Sequence, residues 1–277
     1  YFTPTITQRL VDYPEPGKKP ALQVNIQTGV RTRVNQLNIG LEGAIKSYAP
    51  ARRQIQGIQN RWPLRKGDAF TQTAWTDAKA STLRSLQARR FPAAKLANSK
   101  AVVDPDTSTA DLDIQYNSGP VYRYGDLVVR GNERYDPNII RRLVQLKKGQ
   151  DYNLTDMADA QQRLLDAGYY SGALVSVDTS DGVDPDKAPV IAQVQEAKIQ
   201  RLVAGVGYST DSGARVSLDH THNLVPGLGW RALTKVQVDQ KLQSFGTTLI
   251  APPDDNLWRW TAGLNASRQL LSDQTSI

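Results

Sequence analysis

The sequence predicts an α+β chain. Small repeated units of strand, helix, helix, strand, strand precede the first strands of an antiparallel transmembrane β-barrel. Three observations predict this. A strand–helix–helix–strand–strand order runs from Val121 to Ala197. Its central turn, Leu146-Lys-Lys-Gly-Gln-Asp-Tyr152, has a copy at Leu64-Arg-Lys-Gly-Asp-Ala-Phe70, with the two glycines 82 positions apart. After Lys198 helical spacing stops and strict two-residue alternation takes over.

The last repeat is the clearest. Val121–Arg130 is a strand-like run closed by Gly131 and Asn132. Asp136 and Pro137 open a helix, Asp as N-cap and Pro at the first helical position. Ile139, Ile140, Leu143 and Val144 give that helix one apolar stripe. Thr155 is read as the cap of a second helix carrying Met157, Ala160, Leu164 and Ala167, with Gly168 at the C-terminal stop. Strands at Tyr170–Asp178 and Val190–Val194 finish the unit. Two helices on one face of a three-stranded sheet make one small core.

The middle repeat follows the same grammar. Gly29–Gly43 reads as the first strand and its turn. The first helix is weakly marked: Ala49 and Pro50 open it, Ile55 and Ile58 face inward, and Gly57 interrupts it. Thr73 is read as capping the second helix, with Trp75, Ala78, Leu83 and Leu86 at helical spacing. Strands follow at about Lys95–Val103 and Ala110–Tyr116. Residues 1–28 resemble the tail of a further copy: Tyr1–Ile6 corresponds to the Tyr169 segment and Pro20–Ile26 to Pro189–Val194. The expected domains are 1–28, 29–119, 120–197 and 198–277. Gly29 with Val30, and Gly119 with Pro120, are links too short for much slack, so a semi-rigid arm is expected.

Composition narrows the function. None of the 277 residues is cysteine, which excludes disulfides and thiolate chemistry. No apolar run reaches the length of a transmembrane helix. The net charge of +7 is local: Lys46–Lys100 holds twelve Lys or Arg against Asp68 and Asp77, a net +10. Arg52, Arg53, Arg65, Lys66, Arg89 and Arg90 are its candidate anion-facing residues. The stretch reads either as a solvated face or as a surface turned toward anionic headgroups or an acidic partner. No nucleic-acid-binding signature accompanies it.

From Leu202 onward the alternation is regular. Leu202, Ala204, Val206 and Tyr208 share a face, then after the turn Asp211-Ser-Gly213 so do Ala214, Val216 and Leu218. Trp230, Ala232, Thr234, Val236 and Val238 alternate with Arg231, Leu233, Lys235, Gln237 and Asp239. Ser244–Ile250 and a run with Trp258, Trp260, Ala262, Leu264 and Ala266 complete about five strands. A soluble antiparallel sheet alternates in the same way. Strand lengths of nine to eleven residues, aromatic residues near strand ends and polar opposite faces favour a membrane barrel. Five strands cannot close, and an open edge in lipid leaves backbone groups unpaired. The barrel is therefore expected to continue past Ile277, and a part of the first repeat to precede Tyr1.

Val128-Val-Arg-Gly-Asn132, Leu146-Lys-Lys-Gly149, Ala167-Gly-Tyr-Tyr170 and His222-Asn-Leu-Val-Pro-Gly-Leu-Gly-Trp230 together resemble the POTRA-domain outer-membrane insertase superfamily. Within it, Tyr1–Thr5, the three-repeat count, Gln240–Gly246 and Asp255–Trp260 are most similar to the TamA subfamily, the outer-membrane subunits of the translocation and assembly module. The resemblance implies a bacterial outer-membrane barrel with periplasmic POTRA domains. It implies unfolded β-barrel or autotransporter clients, contact with outer-membrane lipid, and a long TamB-like partner anchored in the inner membrane. The other readings are the general barrel-assembly insertase and a two-partner secretion pore. The POTRA resemblance also puts the second strand of each unit at a sheet edge, about Lys95–Val103 and Tyr170–Asp178. Tyr170, Ala173, Leu174, Val175 and Val177 are thus candidates for pairing with a client strand. In the first barrel strand, Gly205 and Gly207 weaken packing. Leu202, Val203, Gly205 and Gly207 form a candidate barrel seam.

No catalytic constellation, cofactor motif or metal cluster is read. His220 and His222 stand at i, i+2 without a third ligand and read as surface or lumen residues. Asp104-Pro-Asp106 and Asp184-Pro-Asp186 lack calcium-ligand spacing and read as turns.

Overall fold

The computed structural model describes residues 3–11, 21–210 and 213–269. Tyr1, Phe2, Pro20 and the Asp211-Ser212 part of the expected turn lie outside the described residues. The chain forms two compact units, Tyr1–Arg123 with Asp151–Leu154, and Tyr124–Gln150 with Thr155–Ile277.

In the first unit, β1 (Thr5–Val11) and β2 (Ala21–Gln27) pair antiparallel. Then come β3 (Arg33–Glu42), α1 (Arg52–Arg61), α2 (Gln72–Gln87), β4 (Lys95–Asp104) and β5 (Thr109–Asn117), with sheet order β3-β5-β4. β3 lies parallel to β5, a pairing that needs a long crossover, and the two helices supply it. Trp62, Phe70, Trp75, Leu86, Phe91 and Ile114 are buried between helices and sheet. The Trp62 and Trp75 rings meet edge to face at 6.2 Å. The first helix begins later than Ala49, which together with Pro50 and Ala51 forms a single 3-10 turn. The second is capped by Thr71 rather than Thr73: the Thr71 hydroxyl accepts from the Ala74 N–H at 3.1 Å. Both threonines have the right chemistry, and only Thr71 stands in extended backbone ahead of the first turn.

The second unit repeats this plan. It holds β6 (Tyr124–Arg130), α3 (Pro137–Val144), α4 (Leu154–Asp166), β7 (Tyr170–Val177) and β8 (Ala188–Glu196), in sheet order β6-β8-β7. Asp136 caps α3 as expected, accepting from the Asn138 N–H at 2.9 Å. Thr155 lies inside α4, which begins one residue before it. The two copied turns match in conformation: Gly67 and Gly149 have φ of 91° and 81°. Their N–H groups reach the Val34 and Tyr124 carbonyls at 2.7 and 2.8 Å.

From Gln200 the chain forms five antiparallel strands: β9 (Gln200–Ser209), β10 (Gly213–His222), β11 (Arg231–Val238), β12 (Leu242–Ile250) and β13 (Thr261–Gln269). They lie in chain order and run eight to ten residues, slightly shorter than expected. The register aligns Val206, Val216 and Val238 across one face, and Ala204, Leu218, Val236, Phe245 and Ala266 across the same face. Gly205, Ser217, Gln237, Ser244 and Ser267 align on the other. The sheet is therefore apolar on one side and polar on the other, an open segment of barrel wall. Trp258 and Trp260 stand just before β13 instead of within it, both exposed. His220 and His222 share the apolar face with Leu218 and Val216, not the polar face; their rings meet edge to face at 6.2 Å. Among the described residues no helix is long and apolar enough to cross a membrane, which says nothing of a β-barrel.

Candidate functional site

Three features carry the functional reading: two sheet edges, the junction of the last repeat with the five-stranded sheet, and a basic cleft. β7 is an edge strand, bonded to β8 on one side. A bulge between Tyr170 and Gly172 shifts its register. Tyr170 and Val175 point into the core, and the Tyr170 hydroxyl donates to Asn132 Oδ1 at 3.1 Å. Leu174 faces outward, 55 % exposed. Of the five candidate pairing residues, then, Tyr170 and Val175 are buried, Ala173 and Val177 are half-buried on the face of Val175, and Leu174 stands exposed on the other.

β9 is the edge of the five-stranded sheet. Leu202 lies on the apolar face, while Val203, Gly205 and Gly207 lie on the polar face. The two glycines differ. A Cβ at Gly205 would press on the Ser217 hydroxyl at 2.7 Å, whereas one at Gly207 would meet open space. Both leave the polar face of the edge strand bare between Val203 and Ser209.

The junction was not legible as a site. Arg231, the first residue of β11, donates from Nη1 to the Ala167 carbonyl at 2.8 Å and from Nε to Asn223 Oδ1 at 3.0 Å. Its guanidinium stands 5.8 Å from the Tyr169 ring centroid. Gly168, at φ 75°, is needed twice over: for the left-handed turn, and because any Cβ there would overlap the Arg231 guanidinium. Buried Asn223 donates to the Lys198 carbonyl at 2.8 Å, and its N–H reaches the Ile199 carbonyl at 2.7 Å. One arginine and one asparagine thus tie the end of α4, the start of β9, the end of β10 and the start of β11. Nearby, Arg142 Nε pairs with Asp255 at 2.8 Å and its Nη1 donates to the Pro253 carbonyl at 3.3 Å. The signal in the sequence was Asn223 inside the His222–Trp230 turn; nothing local pointed to Arg231. Arg231→Ala is expected to speed amide exchange at Ala167–Tyr169 by roughly tenfold or more, the loss of charged hydrogen bonds worth about 1.5–3 kcal/mol. Unchanged exchange there would show the clamp to be idle.

The basic residues separate into two groups. Arg52, Arg53, Arg89 and Arg90 line one cleft, joined by Arg61, which sequence reading passed over. Arg65 and Lys66 do not line it. They sit in the Gly67 turn, where Arg65 Nη2 donates to the Asn60 carbonyl at 2.9 Å. Arg90 is partly neutralised by Asp151, its Nε 3.0 Å from Oδ2. That carboxylate also accepts from the Tyr48 hydroxyl at 3.0 Å and stands 3.4 Å from Arg123 Nε.

The family model described as POTRA, surface antigen variable number repeat, matches residues 122–197. This span holds the β6-α3-α4-β7-β8 unit. Residues 122–197 thus match the POTRA family. Outer membrane protein assembly factor BamA of Buchnera aphidicola is 24 % identical over 136 residues, 48 % of this chain and 22 % of that protein. The crystal structure of Haemophilus ducreyi BamA lacking POTRA domains 1–3 matches 86 % of this chain and 43 % of its own, with a TM-score of 0.65 at 16 % identity. That likeness speaks for the fold: a POTRA domain followed by barrel strands. The chain spans less than half the length of these relatives.

Proposed function

We propose that this chain is the periplasmic arm and the first barrel strands of a factor that assembles or translocates proteins at the bacterial outer membrane. Its POTRA domains lie in the periplasm and its strands in the membrane. We divide it into a partial POTRA domain at 1–28, POTRA domains at 29–119 and 120–197, and barrel strands from 198. The finer reading is a TamA-like role, with autotransporter or β-barrel clients and a TamB-like partner. The BamA relatives fit the coarser role of outer-membrane protein assembly.

The observation that carries the reading is β9. It follows the third POTRA domain directly, forms the edge of an amphipathic sheet, and bears Gly205 and Gly207 on its polar face. An edge strand offers unpaired N–H and C=O groups to an incoming strand. Exchange of one ladder for another conserves hydrogen bonds, so insertion along such a seam needs no nucleotide and no redox cofactor. The experiment uses the complete protein. One cysteine replaces Val203 and a second is placed opposite it on the barrel's closing strand. Oxidation is expected to stop client assembly and reduction to restore it. Full assembly with the seam locked would overturn the lateral-seam mechanism.

A further inference from the structure

The cleft on the helical side of the first unit, about 810 Å³ in volume, has no part in strand pairing. Arg52 and Arg53 come from the first turn of α1, Arg61 from its last residue, and Arg89 and Arg90 from the segment just after α2. Among the described residues, the ion pair recorded within this group is that of Arg90 with Asp151. Among the described residues the other four guanidinium groups share the concavity without a carboxylate in its lining.

Local physics argues against this arrangement as mere surface. The N-terminus of a helix carries partial positive charge and favours acids. α1 instead opens on two arginines, has no acid in its first turn, and has Ala51 at its N-cap with no side-chain acceptor. Arg61 is folded back along the helix, its Nε donating to the Gly57 carbonyl at 3.3 Å. Gly57 lies directly beneath that guanidinium, within the helix it weakens. The arginines and bare N-cap at the start of α1 and Gly57 inside it cost helix stability, whereas Arg61 in the last turn does not; a bound anion reverses the sign of the electrostatic cost at the helix start. Where sequence breaks local rules without a packing gain, function is the usual reason.

The lining also selects the ligand. All five cations are arginines, whose planar forks match phosphate bidentately, unlike the point charge of lysine. The apolar lining is limited to Ala49, Pro50 and Ala88, with no aromatic or large aliphatic residue to anchor a protein partner. We propose that this cleft is a phosphate-binding site, filled by the headgroup of an anionic lipid or by a soluble phosphorylated molecule.

The test uses the complete protein in neutral-detergent micelles. One arm titrates pyrophosphate calorimetrically; the other compares micelles doped with phosphatidylglycerol and with phosphatidylcholine. R52Q/R89Q and R65Q/K66Q each remove two positive charges, the first pair inside the cleft and the second outside it. R52Q/R89Q is expected to weaken binding by roughly tenfold or more, and R65Q/K66Q by less than about twofold. Arg52→Lys keeps the charge, loses the fork and is expected to fall between; it serves if the double variant melts early. A response to pyrophosphate assigns the soluble source, and a response confined to phosphatidylglycerol assigns the headgroup. Equal losses in the two double variants, or binding to neither probe, would overturn the site.

Discussion

Gly131→Val is expected to unfold the POTRA domain at 122–197. Gly131 ends β6 with φ 79°, a left-handed conformation that costs a β-branched residue well over what it costs alanine. A Cβ there would also drive into the Val194 carbonyl oxygen of β8, a backbone atom that cannot turn aside. β8 is the central strand of the sheet and β6 pairs with it in parallel, so relief requires the pair to separate. The expected cost exceeds about 3 kcal/mol, a large share of what a small domain has. Amide-exchange protection across β6 and β8 reads it out. Gly149→Ala is the control. Its φ of 81° is equally left-handed but its surroundings are open, so about 1 kcal/mol is expected. Equal effects at the two positions would mean that the Val194 contact is unimportant.

The second large effect lies at the same turn. Glu196, its side chain 6 % exposed, sits at the end of β8 and gathers the loop after Gly131. Its Oε1 accepts from the N–H groups of Arg134 at 2.7 Å and Glu133 at 2.8 Å, and Oε2 pairs with the Arg134 guanidinium. Burial raises the carboxyl pKa, but the Arg134 and Glu133 N–H groups, the Arg134 side chain and the Tyr135 N–H outweigh it and lower it from 4.5 to about 2. A value depressed by folding means stability that is present above the unfolded pKa and lost on acidification. The domain is thus expected to lose about 2–3 kcal/mol as pH falls from about 5 toward 2. Glu196→Gln should lower the neutral-pH plateau by a similar amount and flatten this acid limb. Protection of Val190–Val194 amides against pH measures both. An unchanged acid limb in Glu196→Gln would move the effect to another carboxylate. Gly131 and Glu196 serve one turn, so their combined substitution should cost less than the sum.

Much of the fold was legible because it rests on local rules. The copied turn is set by glycines in left-handed backbone, so Gly67 and Gly149 announce it in sequence. The five strands follow from parity alone: once Leu218 faces the apolar side, His220 and His222 must as well, although their chemistry suggested otherwise. What stayed hidden depends on distant partners. Asp151 gave no sign that Tyr48, 103 positions away, would donate to it. Arg231 looked like one more polar residue in an alternating strand; its role is set by the Ala167 carbonyl, 64 positions earlier. The basic stretch could be counted but not sorted, because only the meeting of the start of α1 with the end of α2 separates cleft arginines from the Arg65 turn.

The contacts of Asn223, Arg231 and Asp255 have a consequence for the order in which the barrel takes shape. All three lie at the same end of the five-stranded sheet, where β10 stops, where β11 starts and where the chain crosses from β12 to β13. Each is held to the POTRA domain at 122–197 or to the residues leaving it. A sheet with one apolar face tolerates no slip, since a shift of one residue turns every side chain to the wrong side. Synthesis delivers the POTRA domain before the strands. Once folded, it is placed to act as a gauge: the β10–β11 and β12–β13 connections are each set against a fixed point, not only against a neighbour still in motion. Errors of register then stay confined to single hairpins instead of accumulating around the wall.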